Sequence, residues 1–457
     1  MSSPFESVRY LPLLYDPKDS QNSALNLILT LRPEWRESKS TVEFVHFTDG
    51  ITNTLLKAIN RLPDLSEAEI DRDAVLLRAY GKGTDVLIDR EKESLSHCLL
   101  ARHNLAPPLF ARFDNGLLYK YIPGSVCAPS DLRRAEVWRG VARRLGEWHA
   151  RLPISSISST VDDVSSRIAT SPMHTKSSLA SSESASEANS TTTASTSTSS
   201  KRASSTYSSL TQPPGTPTPN LWSVMHKWIR ALPQGTTAER ARHDLLAREL
   251  AYLVSRLGAS HAPYVFAHCD LLSGNVIIAP SPPSASASRR SSRSQSSSSL
   301  SHEGGEGGED GGGVANVAFI DYEYTTAAPA AFDLANHFAE WGGFECDYAA
   351  LPTRGTRRAF LREYLASYAL HHASAKHEGE GDGEEELDRL CEEVDEWRGV
   401  PGFYWGIWAA IQAGISQIEF DYRGYGEVRL GEYWGWKRAG EGGKGERGER
   451  EARWGME

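Results

Sequence analysis

The sequence predicts an α+β fold of two lobes, a small five-stranded N-terminal lobe and a mostly helical C-terminal lobe. Three observations predict it. Between Val42 and Ile122, β-prone runs recur around a single helical stretch; Pro123-Gly124 then breaks the pattern. Beyond that break the apolar residues return at helical spacing, apart from one loop, His268 to Asn275, set between the short apolar runs Val265-Phe266-Ala267 and Val276-Ile277-Ile278.

Taken in order, Val42 to Phe47 alternates loosely, Asp49-Gly50 makes a turn, and Ile51 to Leu56 returns as a strand. A glycine at such a turn lets the backbone approach a phosphate closely, although a plain hairpin accounts for the same residues. Ala74 to Tyr80 is a third strand carrying one cation, Arg78, which either snorkels outward or serves an anion. Asp89 caps a helix through Leu95, Leu99 and Leu100. Glu93 lies in its first turn, where a carboxylate ordinarily meets only the helix dipole; a pair with Arg78 is the sharper expectation. Leu109–Phe113 and Leu117–Ile122 flank Asp114-Asn115-Gly116, a hairpin signal. This lobe is assigned to residues 1–121.

The second lobe, 122–438, opens with an amphipathic helix through Leu132, Val137, Val141, Leu145 and Trp148. Residues 155–219 are dominated by Ser, Thr and Ala, with too few large apolar side chains to fold, and are expected to be a disordered insert. Lys201-Arg202-Ala203-Ser204 there, and Arg289 to Ser292 further on, match phosphorylation sites of a kind that Ser-rich sequence supplies by chance. A helical stripe, Leu245 to Leu257, precedes the loop. Residues 281–313 are a second disordered insert, after which Val317 to Ile320 forms a strand ending in Asp321. An acidic glycine-rich run, about 376–386, is expected to be a solvated loop and 439–457 a disordered charged tail.

The loop carries the chemistry. With the second insert set aside, Asn275 and Asp321 are joined by two short strands and a turn. An Asp that accepts a hydroxyl proton, an Asn on Mg²⁺ and a second Asp on Mg²⁺ make up the layout of kinase catalytic machinery. Magnesium favours hard oxygen ligands and the hydroxyl needs a nearby base, which gives Asp270, Asn275 and Asp321 these roles. An Asp-bearing loop between strands is also common in α/β proteins without catalysis.

Composition narrows the classes. A formal charge of −10 and a pI near 5.8 exclude a general nucleic-acid binder. Five scattered cysteines without paired spacing point to a reducing, cytoplasmic setting. No apolar run is long enough for a membrane span. Oligomeric state is open, a homodimer included.

Ten segments together resemble the choline/ethanolamine kinase family, ethanolamine kinases in particular. They are Leu31–Trp35, Asp49–Asn53, Val75–Gly81, Asp89-Arg90, Asn115–Leu117, His268–Asn275, Ile320–Tyr324, Phe332–Glu340, Trp405–Ala409 and Ile418–Asp421. The resemblance implies a protein-kinase-like fold of the choline kinase and aminoglycoside phosphotransferase type. It also implies ATP- and Mg²⁺-dependent phosphorylation of ethanolamine, the first step towards phosphatidylethanolamine, with choline kinase, a dual kinase or an inactive scaffold as alternatives. By the same resemblance Asp270 is the base and Asn275 with Asp321 hold Mg²⁺. Arg78, paired with Glu93, replaces the ATP-binding lysine of protein kinases, Gly50, Thr52 and Asn53 cover the phosphates, and His268 braces the loop. An ethanolamine ammonium prefers a carboxylate and choline an aromatic cage; Glu340 fits the first role, and Tyr324, Trp405, Trp408 and Tyr425 are candidate walls. Asp333 is expected to brace the Asn336-His337 helix. Leu272 and Gly342-Gly343 favour ethanolamine, Trp341 looks like the choline enzymes, and Cys269 departs from the usual Asn or Gly.

Overall fold

The computed structural model describes residues 8–47, 53–81, 83–157, 159–160, 216–258, 263–280, 313–372, 383–416, 418–442 and 448–457. Its N-terminal sheet has six strands instead of the expected five: β1 (Arg9–Leu11), β2 (Val42–Phe47), β3 (Thr54–Asn60), β4 (Val75–Ala79), β5 (Leu109–Phe113) and β6 (Gly116–Lys120). They lie in the order β1-β5-β6-β4-β3-β2. The added strand is short and pairs in parallel with β5, Arg9 opposite Ala111, so neither a hairpin signal nor alternation announces it. β3 starts at Thr54 rather than Ile51, and Gly50, Ile51 and Thr52 lie outside the described residues.

The lobe also holds two helices that the sequence reading lacked. Ser20–Leu31 buries Ala24, Leu27 and Ile28 against the sheet. Glu67–Asp73 is opened by a capping box in which Ser66 and Glu69 satisfy each other's backbone N–H groups. The expected helix, Arg90–Arg102, starts where predicted, with Asp89 Oδ1 accepting from Lys92 N at 3.1 Å.

Strand alternation decides which side chains reach the cleft. On β4, Val75, Leu77 and Ala79 join the core under the Ser20–Leu31 helix, while Leu76 and Arg78 point the other way and line the cleft. Arg78 is therefore presented to the cleft by the register of its strand.

After Pro123-Gly124 the chain forms β7 (Ser125–Val126). Gly124 is needed here, since its φ is +151° and a Cβ would stand 2.5 Å from the Ile278 carbonyl oxygen. The helix Ala135–Arg151 follows. β8 (Ser159–Thr160) then pairs with β9 (Pro217–Thr218), and Ile157 and Thr216 are buried. The insert predicted over 155–219 is thus too wide at both ends, because apolar contact and a ladder extend order into its margins. Residues 161–215 and 281–312, including both phosphorylation-like matches, lie outside the described residues.

The central loop sits where expected, between β10 (Tyr264–Ala267) and β11 (Val276–Ile278). β12 (Val317–Phe319) pairs with β11, giving the sheet β12-β11-β7, and β13 (Thr326–Pro329) pairs with β10. The helices Ala135–Arg151 and Arg354–His371 pack side by side beneath, as do Val400–Ile415 and Tyr422–Gly440.

Two further expectations fail. Residues 383–386 do not belong to a solvated loop, since they open the helix Gly383–Trp397. Its first turn of Glu384 to Glu386 suits the helix dipole, and Glu384 pairs with Arg358 and Arg362 at 2.7 and 2.9 Å. The charged tail is also partly ordered: Tyr422–Gly440 runs to its start and Glu449–Trp454 is a docked helix. Trp454 is buried beneath the Arg357 guanidinium, 4.1 Å from its ring centroid.

The ends of both inserts lie close together. Thr160 faces Pro217 across the β8–β9 ladder and Ala279 N donates to Asn316 O at 2.9 Å. Replacing 161–215 and 281–312 by short turns should keep kcat/KM within about tenfold of the full chain, because loop length acts weakly on closure free energy. A larger loss in a folded protein would make the inserts functional.

His97 supplies a pH-dependent contribution to stability. It is buried between Tyr119 and Tyr322, with ring centroids at 5.0 and 5.2 Å, and its Nε2 donates to Pro107 O at 2.9 Å. Burial pulls its pKa from 6.5 down to about 4. On acidification the unfolded chain therefore takes up this proton first, and stability present above pH 6.5 is lost progressively towards pH 4. By linkage the loss at pH 5 is about 2 kcal/mol relative to pH 8. In urea melts, the stability advantage of wild type over His97→Gln should shrink by that amount between these pH values; a constant difference would remove His97 from the effect.

Candidate active site

The sheet and the helical lobe enclose a cleft of about 280 Å³. Of the residues singled out in the sequence, Arg78, Asp270, Asn275, Asp321, Tyr324, Glu340, Trp405, Trp408 and Tyr425 all line it. Glu93 and Asn53 stand behind it. Arg78 Nε is 3.7 Å from Glu93 Oε1, and Asn53 Nδ2 donates to Glu323 Oε2 at 3.2 Å.

The loop is held in an uncommon backbone conformation. Cys269 and Asp321 are non-glycine residues with φ of +63° and +64°, a region that costs free energy unless the surroundings impose it. Asp333 imposes it on the first of them. Its carboxylate accepts from the His268 and Cys269 backbone N–H groups at 2.9 and 2.7 Å, and His149 Nε2 lies 3.0 Å away. Burial opposes the charged form of Asp333, but the contact with His149 and the backbone N–H donors outweigh it and hold the pKa below the usual carboxylate range. Asp333 thus braces the loop, not the helix it sits on.

Two neighbours on that helix do the same. Asn336 Nδ2 donates to Cys269 O at 3.0 Å while its Oδ1 accepts from Trp405 Nε1 at 2.9 Å. His337 Nδ1 donates to Leu271 O at 2.8 Å and its Nε2 accepts from Trp341 Nε1 at 3.2 Å. That pattern fixes a neutral imidazole, and burial pulls its pKa down to about 4. His268 ties the loop to β12, with Nε2 donating to Ile320 O at 3.0 Å and Nδ1 accepting from Asp270 N at 3.3 Å. Both of its ring nitrogens are engaged in bracing.

Asn275 spends its amide N–H groups on Asp270, at 2.8 Å to the carbonyl oxygen and 3.1 Å to Oδ2. Its remaining oxygen is a hard donor, and the residue lines the cleft. Asp270 is buried, and its pKa is pushed well up by burial first, then by Asp321, Glu340 and Glu323. A cleft so rich in carboxylates is electrostatically prepared for cations.

Facing them, Arg78 Nη2 donates to Asp321 Oδ1 at 2.7 Å and contacts Glu323. Burial opposes the Arg78 charge, yet Asp321, Glu323 and Glu93 outweigh it. Glu323 also receives Arg90 Nη1 at 3.3 Å, so two cations of the sheet lobe meet one carboxylate of the helical lobe. Glu323 and Arg90 lie within the segments Ile320–Tyr324 and Asp89-Arg90 that carry the family resemblance, which assigns neither a role. The signal was the i, i+2 spacing of Asp321 and Glu323, compatible with both serving one guanidinium.

Away from these charges, Trp408 Nε1 donates to the Tyr324 hydroxyl at 2.8 Å, and Trp405 stands edge-on to both rings, with centroids at 5.9 and 5.5 Å. Phe344, absent from the sequence reading, stands 6.1 Å from Tyr425 by ring centroids. Glu340 closes this aromatic end, but it is not a free carboxylate: it forms an ion pair with buried Arg429. Burial raises its pKa and Arg429 works against that rise.

Among the described residues no group of three His, Cys, Asp or Glu side chains is arranged to hold a metal ion, and no helix is long and apolar enough to cross a membrane.

Solved structures share this fold. Over 91% of this chain and 88% of its own, an ethanolamine kinase from Plasmodium vivax superposes with a TM-score of 0.59 at 20% identity; a Cryptosporidium parvum choline kinase gives 0.56 at 17%, covering 93% and 98%. Human ethanolamine kinase 2 is 28% identical over 93% of this chain and 84% of its own length, and Drosophila melanogaster ethanolamine kinase is 28% identical over 93% and 79%. The family model for choline/ethanolamine kinase matches residues 44–434. With the loop His268–Asn275, Asp321 and the aromatic end all inside that match, the chain belongs to the choline/ethanolamine kinase family.

Proposed function

We propose that the protein transfers the γ-phosphoryl group of ATP to the hydroxyl of ethanolamine, the first step of phosphatidylethanolamine synthesis through CDP-ethanolamine, in the cytoplasm. One observation carries the reading: Asp270 and the Glu340–aromatic end open onto the same cleft. The names of the relatives point to the same substrate.

In this reading the lobe 1–121 binds nucleotide, and the lobe 122–438 carries the catalytic and substrate groups. Asp270 orients the substrate hydroxyl and accepts its proton. The residues present fit magnesium. The Asp321 carboxylate and the Asn275 amide oxygen are hard donors on the cleft, and an ion completed by phosphates and water needs only one or two protein ligands. When bound, the ion supplies charge neutralisation at the phosphates. Arg78, backed by Glu93 and Glu323, directs positive charge at the nucleotide. Glu340 receives the substrate ammonium, where a charge-assisted hydrogen bond contributes about 1.5–3 kcal/mol.

A second reading, choline or both amino alcohols, is favoured by the Arg429 contact. A carboxylate already paired has less to offer an ammonium, which raises the weight of the rings at about 0.5–2 kcal/mol each. Steady-state ADP release with Mg²⁺-ATP, run with ethanolamine and choline under matched conditions, separates them. Ethanolamine is expected to have the higher kcat/KM; the reverse order would assign the pocket to its rings, and silence with both would leave a kinase-like scaffold.

A further inference from the structure

Buried charges run from Glu340 to the C-terminal helix Glu449–Trp454, which lies beyond residue 434, where the family match ends. Arg429 contacts Glu340 through Nη2, and its Nη1 is 3.6 Å from Glu432 Oε2. Arg450 Nε is 3.6 Å from that same oxygen. Among the described residues Glu432 Oε2 accepts no hydrogen bond, and Arg429 Nε donates none. Glu432 is therefore loosely shared between two guanidinium groups while Arg429 is committed to Glu340. Arg450 is itself pinned in place, donating to the Arg398 carbonyl at 2.6 Å and to Glu451 at 3.0 Å. All these carboxylates and both shared cations are buried, so solvent screens them little.

We infer that Arg450 is a positioning residue for the substrate: by sharing Glu432 it leaves Arg429 on Glu340 and so limits the negative charge that Glu340 offers to an amino-alcohol ammonium. The inference rests on Glu340 being the ammonium-binding carboxylate. Arg429 is the group that swings. Without the Arg450 charge it is drawn towards Glu432 and releases Glu340; without the Glu432 charge it is held on Glu340 alone.

The two changes therefore have opposite signs, which a merely structural role would not produce. Arg450→Met is expected to lower KM for ethanolamine by about threefold or more, and Glu432→Gln to raise it by a similar factor, with kcat within about twofold in both. Arg450→Lys, which keeps the charge, should return KM towards wild type. Ethanolamine binding by calorimetry accompanies the kinetics, and a thermal melt confirms that each variant is folded. If Arg450→Met does not fold, Glu432→Gln decides alone. An unchanged or lowered KM in that variant, or changes of the same sign in both, would overturn the inference while leaving the ethanolamine reading standing. A wild-type protein that neither binds nor phosphorylates ethanolamine would overturn both.

Discussion

Asp270→Asn should leave nucleotide binding measurable and lower kcat by about two to four orders of magnitude, the range over which a positioned general base acts. The amide keeps an oxygen for the Asn275 N–H that reaches Asp270 Oδ2 at 3.1 Å, and the 2.8 Å bond to the Asp270 backbone carbonyl is untouched, so the loop should stay in place. What is lost is the ability to take the hydroxyl proton. Isothermal titration with a nucleotide analogue and steady-state ADP release read the two effects separately. Retained turnover would remove Asp270 from the base role, and lost nucleotide binding would mean that the substitution had disturbed the cleft.

Asp333→Ala is expected to cost about 3–5 kcal/mol of stability, the scale for removing one partner of a buried charged network. Its carboxylate is fully buried, and the variant would leave the His268 and Cys269 backbone N–H groups without an acceptor in a place that water does not reach. Cys269 is a non-glycine residue held at positive φ beside Asp270, so kcat should fall as well, even where the variant is kept folded at low temperature. Urea melts and kcat measured on the folded fraction test this. A variant of wild-type stability would show that Asn336 and His337 suffice to brace the loop.

Local signals carried much of the site. The loop His268–Asn275 lies between strands because apolar runs bound it on both sides, and Asp321 closes the next apolar run, so these residues were legible from short-range pattern alone. Arg78 was legible as a cation amid a strand, and the alternation of β4 turns it towards the cleft. The aromatic end was legible as a cluster, and all four of its named residues line the cleft. The bounds of disorder were less legible: composition marked the inserts but missed the β8–β9 ladder and the helix Gly383–Trp397, whose acidic first turn is answered by arginines on another helix.

By itself, then, the sequence determined the loop His268–Asn275 between its two strands, the alternating strands and the amphipathic helices, since periodicity and turn chemistry act over a few residues. The tertiary structure alone decided which partners those residues meet. The parallel pairing of β1, the meeting of Arg78 and Arg90 with Glu323, the grip of Asp333 on the loop and the Arg429–Glu340 pair all join segments far apart in the chain. Charge attraction between such segments has no period, and it is fixed only when packing brings the two groups into the same buried volume.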